Sequence, residues 1–238
     1  MIDVLLFILM IQGSMVDPAN YASSPNGYFD GICQEMEVRW PNNRTINIVA
    51  HGHSVPTGYL TNGVVNRWEC YPFQSLKLIK EHFPYAVINV ITTSIGGEQS
   101  EQGVSRIQSE VLTHRPDVLL IDYGLNDRSI GIERTDKAWR KMLKEAKAYG
   151  VKIILLTPTP DLREDIFSLD SSLAKHSHLI RNLAKEFNVA LVDSYALFKD
   201  LAKEVDLKGF MAQNNHINEK GHLLVARVIA SFFKPKNY

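Results

Sequence analysis

A chain of 238 residues with 45% hydrophobic composition is long enough to bury one substantial core, and one domain is the default at that length. Its 26 Lys and Arg balance 26 Asp and Glu, so there is no global field to draw in nucleic acid or an anionic membrane, and neither is expected as a partner. Two cysteines without C-x-x-C spacing, Cys33 and Cys70, exclude a zinc knuckle and a disulfide framework. They are expected as small buried hydrophobes, with pairing left open for an exported chain.

The first feature along the chain is the apolar run Val4–Ile11, which matches the apolar region of a leader and falls far short of the ~20 residues that span a bilayer. It carries Asp3 instead of a basic n-region and has no small-x-small cleavage site nearby. A truncated or miscalled leader and an ordered N-terminal segment both stay open, and with them a cytoplasmic or an exported location. No stable membrane insertion is expected. Residues 17 to 44 are rich in Asn, Pro, Gly and Ser, for example Ser24-Pro25-Asn26-Gly27, and read as an extended approach. Residues 1–44 are therefore taken as an N-terminal extension and 45–238 as the domain.

Five short, largely apolar runs follow, at Thr45 to Ala50, Ala86 to Thr92, Asp117 to Tyr123, Val151 to Thr157 and Val189 to Asp193. Continuous apolar character is what strands buried on both faces require. Between them lie segments with a 3.6-residue rhythm. Phe73, Leu76, Ile79 and Phe83 mark one, and Ala138, Met142, Leu143 and Ala146 another. His178 to Phe187 carries a further segment, and Leu224, Val225, Val228, Ile229 and Phe232 mark the last. Strand and helix alternating this often imply parallel strands joined by right-handed crossovers. The predicted fold is α/β, a three-layer α/β/α sandwich with a five-stranded parallel sheet in the flavodoxin-like order 2-1-3-4-5.

In such folds the chemistry sits in the loops after the strands. The first loop holds Gly52-His53-Ser54, the second Gly96-Gly97-Glu98-Gln99-Ser100, the third Gly124-Leu125-Asn126-Asp127. Ahead of the last helix stands Gln213-Asn214-Asn215-His216-Ile217-Asn218. Acyl transfer to Ser54 needs a base within hydrogen-bond reach, for which His216 is the candidate. It also needs donors for an oxyanion, which the N–H groups of Ser54 and Gly97 and the Asn126 amide supply.

Gly52-His53-Ser54-Val55, Gly96-Gly97-Glu98-Gln99-Ser100, Gly124-Leu125-Asn126-Asp127 and His216-Ile217-Asn218-Glu219-Lys220-Gly221-His222, in the order Ser, Gly, Asn, His, resemble the blocks of the SGNH hydrolase superfamily, also called GDSL esterases and lipases. The resemblance covers residues 45 to 233. It implies a serine esterase without a cofactor that acts on small acyl esters. Acetyl groups on carbohydrate are the preferred substrate, with lysophospholipid or acyl thioester next, and a catalytically weakened carbohydrate-binding protein of the same fold is the alternative. The family usually has Asp before its Ser, where His53 stands, and an acid three residues before its His, where Gln213 stands. The expectation is a Ser–His dyad oriented by Gln213, Asn214 or a backbone carbonyl, slower than a full triad. His53, Tyr59 and Tyr123 are candidate substrate contacts, with Trp68 joining the two tyrosines in an aromatic wall.

Other polar residues have blander expectations. His51-x-His53 has no further Asp or His cluster with which to hold a metal, and the two rings are expected to bond within their loop. His176 and His178 point to different sides of a helix. Glu98 is expected to cap the helix starting near Gln99, Asp127 and Arg128 to form a surface pair, and Asp193 to close a strand while staying in reserve as the missing acid.

Overall fold

The structure is a computed structural model that describes residues 17–235, so the run Val4–Ile11 lies outside the described residues. Strands β1 (Ala22–Ser23), β2 (Thr45–Gly52), β3 (Val87–Thr92), β4 (Val118–Asp122), β5 (Lys152–Leu156) and β6 (Ala190–Val192) form one sheet in the order β1-β6-β5-β4-β2-β3. The strands from β2 to β6 pair in parallel. Counted among themselves they run 2-1-3-4-5, the predicted order. The sheet nonetheless has six strands instead of five, because Ala22 and Ser23 add an antiparallel edge opposite Val192 and Leu191. The approach segment also supplies helix α1 (Asp30–Glu37), which buries Ile32, Cys33 and Met36.

Seven further α-helices follow among the described residues: α2 (Ser54–Thr57), α3 (Tyr71–His82), α4 (Ser100–Ser105), α5 (Ile132–Ala148), α6 (Ser172–Phe187), α7 (Ser194–Leu201) and α8 (Glu219–Ala230). Alternation along the strands separates two cores. Ile46, Ile48 and Ala50 of β2 pack with Met36 of α1, Ile79 of α3, Phe198 of α7 and Val225 of α8. Val49 faces the other way, toward Trp139 and Met142 of α5 and Ile180 and Leu183 of α6. Both faces are covered, which is why each strand reads as an unbroken apolar run.

The face of α3 differs from the expectation. Tyr71, Ser75 and Ile79 are buried, whereas Phe73 and Leu76 are only half-buried. Phe73 instead carries the Trp68 ring, edge-on at 6.0 Å, and the Arg67 guanidinium. Before α8, where only a loop is expected, β7 (Met211–Gln213) and β8 (His216–Ile217) form a small antiparallel hairpin. Asn218 then caps α8 by accepting from the N–H groups of Lys220 and Gly221. Both cysteines are buried, and the Cys70 thiol donates to the Arg67 carbonyl. Among the described residues no helix is long and apolar enough to cross a membrane.

Candidate active site

The nucleophile turn is built by its neighbours. At the end of β2, Gly52 lies against β4 so closely that a Cβ there would stand 2.4 Å from the Asp122 carbonyl oxygen. His53 is extended, and its Nδ1 accepts the Val55 N–H at 3.2 Å, so the ring caps the one-turn helix α2. The Thr57 hydroxyl donates to the His53 carbonyl, and Gly58, at φ +93°, closes the turn. Ser54 is thereby the first residue of α2 and its side chain faces the sheet edge, mostly buried.

The β7–β8 hairpin brings up the second group. Its register sets Gln213 directly opposite His216, and the Gln213 amide contacts His216 Nδ1. His216 Nε2 lies 2.8 Å from Ser54 Oγ. Burial pushes the His216 imidazole below its ordinary 6.5, the nearby His53 acts in the same direction, and a hydrogen bond to the Leu60 backbone opposes them. A backbone contact that favours the charged form of an imidazole is a carbonyl, so Leu60 accepts from the ring. Tyr59 tilts over His216 with ring centres 6.2 Å apart and packs against Gly96.

Two more loops complete the edge. Gly97 has φ +79° with open space where a Cβ would be, and its N–H has no acceptor among the described residues. Asn126 Nδ2 donates one proton to the Glu98 carbonyl at 3.0 Å, which leaves its other proton free. Beneath them lies a buried network. The Glu98 carboxylate binds Arg106 through two contacts of 2.7 and 2.6 Å and accepts the Tyr123 hydroxyl at 2.7 Å. Tyr123 Oη also meets His51 Nε2 at 3.0 Å, and His51 Nδ1 meets the Thr93 hydroxyl. Burial, with Arg106 nearby, pushes the His51 imidazole down to about 4. This network anchors the segment that carries Gly97.

Several expected roles are corrected by this geometry. Tyr123 is fully buried and His53 is 1% exposed, so neither reaches a substrate. Both spend their polar atoms on the protein, while Tyr59 alone of the three stays at the site. Trp68 is 71% exposed, so no aromatic wall joins it to Tyr123. Glu98 does not cap a helix: Gln99 is the N-cap of α4, in a reciprocal box with Gln102. Asp127 is fully buried and accepts from the Ser100 N–H and Trp139 Nε1, so it forms no surface pair with Arg128. Arg128 binds Asp161 and Glu164 instead. Asp193 caps α7 and is held by Arg181 and Thr157, which removes it as the acid behind His216.

His176 is buried and His178 exposed, on different sides of α6 as expected. Sequence reasoning missed Asp122 and Tyr71, and gave no role to His222, which closes the His block. Asp122 accepts the Tyr71 hydroxyl at 3.0 Å, and His222 Nδ1 accepts the Tyr71 N–H at 3.2 Å. Of the three, only Asp122 left a signal of its own, a polar residue ending an otherwise apolar strand. Among the described residues no group of three or more His, Cys, Asp or Glu is placed to hold a metal ion.

A mostly parallel sheet that gathers a Ser–His pair, an open glycine N–H and an Asn amide at one edge is built as an SGNH-type ester hydrolase. Residues 50–224 match the model of the GDSL-like Lipase/Acylhydrolase family, and the chain belongs to that family. It is 22% identical over 162 residues to an acetylxylan esterase of Geobacillus stearothermophilus, covering 63% of this chain and 74% of that one. With thioesterase 1/protease 1/lysophospholipase L1 of Escherichia coli K12 it shares 26% identity over 156 residues, 62% of this chain and 68% of the other. Among solved structures, a two-domain esterase active on acetylated mannans superposes with a TM-score of 0.71 at 20% identity, over 88% of this chain. The match spans about half of that esterase, 53% of its chain. The Geobacillus stearothermophilus acetylxylan esterase Axe2 superposes with a TM-score of 0.69 at 19% identity, over 78% of this chain and 93% of that one.

Proposed function

We propose that this chain is a serine esterase that removes small acyl groups, acetyl above all, from hydroxyls of a carbohydrate through an acyl-Ser54 intermediate. The observation that carries the reading is the 2.8 Å approach of His216 Nε2 to Ser54 Oγ. His216 takes the hydroxyl proton as Oγ bonds to the carbonyl carbon. The resulting oxyanion is held by the Ser54 N–H, which the start of a helix leaves without an intrahelical acceptor, the Gly97 N–H and the free Nδ2 proton of Asn126. Collapse expels the alcohol, which takes the proton from His216. Water then repeats the sequence on the acyl enzyme and frees the acid.

The choice of a sugar rests on what borders the oxyanion donors. A cleft of about 560 Å³ opens beside Gly97 and Asn126 and is lined by Gln99, Ser129, Arg163 and Asn215 among others. Amides, a hydroxyl and a guanidinium suit a hydroxylated alcohol better than an acyl chain or a lipid. The acetylated polysaccharides named for two of the similar esterases agree with this choice.

The test is fluorophosphonate labelling beside a panel of acetyl to palmitoyl esters, acetylated oligosaccharides and lysophospholipid. Wild type should label and prefer acetyl esters, and Ser54→Ala should lose label and about 10⁴-fold or more in kcat. Absence of label on wild type sinks the enzyme reading in favour of a binding protein. Preference for palmitoyl esters or lysophospholipid sinks the sugar.

A further inference from the structure

We propose that His53 and Asp122 act as one buried positioning pair, in which Asp122 supplies through His53 the carboxylate that the family keeps immediately before its Ser. The inference rests on the reading of Ser54 as nucleophile.

The pairing follows from strand register. Gly52 lies opposite Asp122 across the β2–β4 ladder, with its backbone pressed on the Asp122 carbonyl. The next residue, His53, therefore turns its ring over the Asp122 side chain. The two are 1% and 2% exposed. His53 Nε2 and Asp122 Oδ1 stand 3.3 Å apart, and neither atom has a hydrogen-bond partner elsewhere among the described residues.

The tautomer is set from the other side of the ring. Nδ1 accepts the Val55 N–H, so it must be bare, and the ring proton sits on Nε2, facing the carboxylate. The second carboxylate oxygen accepts the Tyr71 hydroxyl. Burial beside Asp122 pushes Tyr71 ionisation far above its ordinary range, so it stays a donor. Asp122 thus accepts the Tyr71 hydroxyl of α3 on one oxygen and faces His53 Nε2 of the nucleophile turn at 3.3 Å with the other. Tyr71 in turn donates its N–H to His222 on α8, so the chain of contacts runs from the Ser54 turn to the helix that follows His216. A buried carboxylate held by one hydrogen bond and one facing ring nitrogen becomes an underpaired charge when either is removed.

The consequence is contrary to simple family logic. His53→Asp restores the family residue and should harm the enzyme, because it sets two buried carboxylates face to face. Second-order rates of fluorophosphonate labelling and KM for p-nitrophenyl acetate test this. His53→Asp should label ~100-fold slower with KM changed less than ~3-fold, as expected of a nucleophile displaced by a fraction of an ångström. Asp122→Asn in the same chain should restore the rate to within ~10-fold of wild type, the coupling of a contacting pair. His53→Asn, which keeps a cap acceptor without adding a carboxylate, covers the case in which His53→Asp does not fold, and should label ~10-fold slower.

Wild-type labelling rates for His53→Asp or, if that variant does not fold, for His53→Asn would overturn the pair. So would a double variant no faster than His53→Asp. If wild type itself does not label, the esterase reading has failed, and urea midpoints then decide the pair alone: it stands if Asp122→Asn raises the midpoint of His53→Asp and falls if it does not.

Discussion

Gln213 stands across the β7–β8 hairpin from His216, where a carboxylate would hold an imidazolium. An amide offers two faces. To let Nε2 of His216 accept from Ser54, the ring must carry its proton on Nδ1, and Gln213, set with Nε2 toward the ring, accepts that proton on Oε1 once its amide is turned over. The Leu60 backbone favours the charged ring. What neither group supplies is a full negative charge, and burial already disfavours the charged ring. The acid limb of kcat/KM should therefore lie below pH 6.5, because the base stays neutral to lower pH than a free imidazole. Gln213→Glu adds an opposite charge, favours the imidazolium and should move that limb upward by about one unit, while kcat above pH 7.5 rises several-fold, on the order of 10. A pH profile that does not move removes the orienting role from residue 213.

Two glycines at the sheet edge do different work, and at the scale of elements this is measurable. Gly52→Ala would press a Cβ onto the Asp122 backbone and onto Pro56, so β2 and β4 must part. A loss of about 3 kcal/mol in urea unfolding is expected. Gly97→Ala meets open space and adds only left-handed strain, about 1 kcal/mol. Equal losses would mean that the β2–β4 contact is not tight. The same contrast explains what was legible in the sequence. The parallel strands and their order could be read because both faces of the sheet are covered, which makes each strand an apolar run. That Ser54, Gly97, Asn126 and His216 gather at one sheet edge was legible because each follows a strand or precedes the last helix, in the order of the family. β1, with two residues, and the β7–β8 hairpin are too short to show a period. The face of α3 was misread because Trp68 and Arg67, in the loop just ahead of the helix, fold back over Phe73, a contact that helical periodicity does not encode. Asp122, Tyr71 and the burial of Glu98 depend on cross-strand register and on which arginine reaches inward, and neither is written in residue spacing.

Across the whole molecule, the sheet edge buries imidazoles that have to stay neutral. His222 is fully buried on α8 and its imidazole is pushed down to about 3 by burial, with His216 adding to the effect; His51 is pushed down to about 4. In the unfolded chain both take up a proton near pH 6.5. Between that value and the depressed ones the unfolded state binds more protons than the folded state, so stability rises with pH there. The contribution is complete above about pH 7 and is lost as pH falls, about 2 kcal/mol per histidine by pH 5. Carboxylates act in a lower window. Asp161, where burial is outweighed by Arg163 and Arg128, is held down at about 2, so its stabilisation is lost only below the ordinary Asp value of 3.8. The two windows separate, and any fall in urea midpoint between pH 6.5 and 5 belongs to the histidines. His222→Asn keeps an acceptor for the Tyr71 N–H and removes one proton site, so its midpoint should fall with roughly half to two-thirds of the wild-type slope. A variant slope equal to that of wild type would mean that His222 is protonated in the folded state, and that the buried polar chain from Ser54 to α8 ends in a charge.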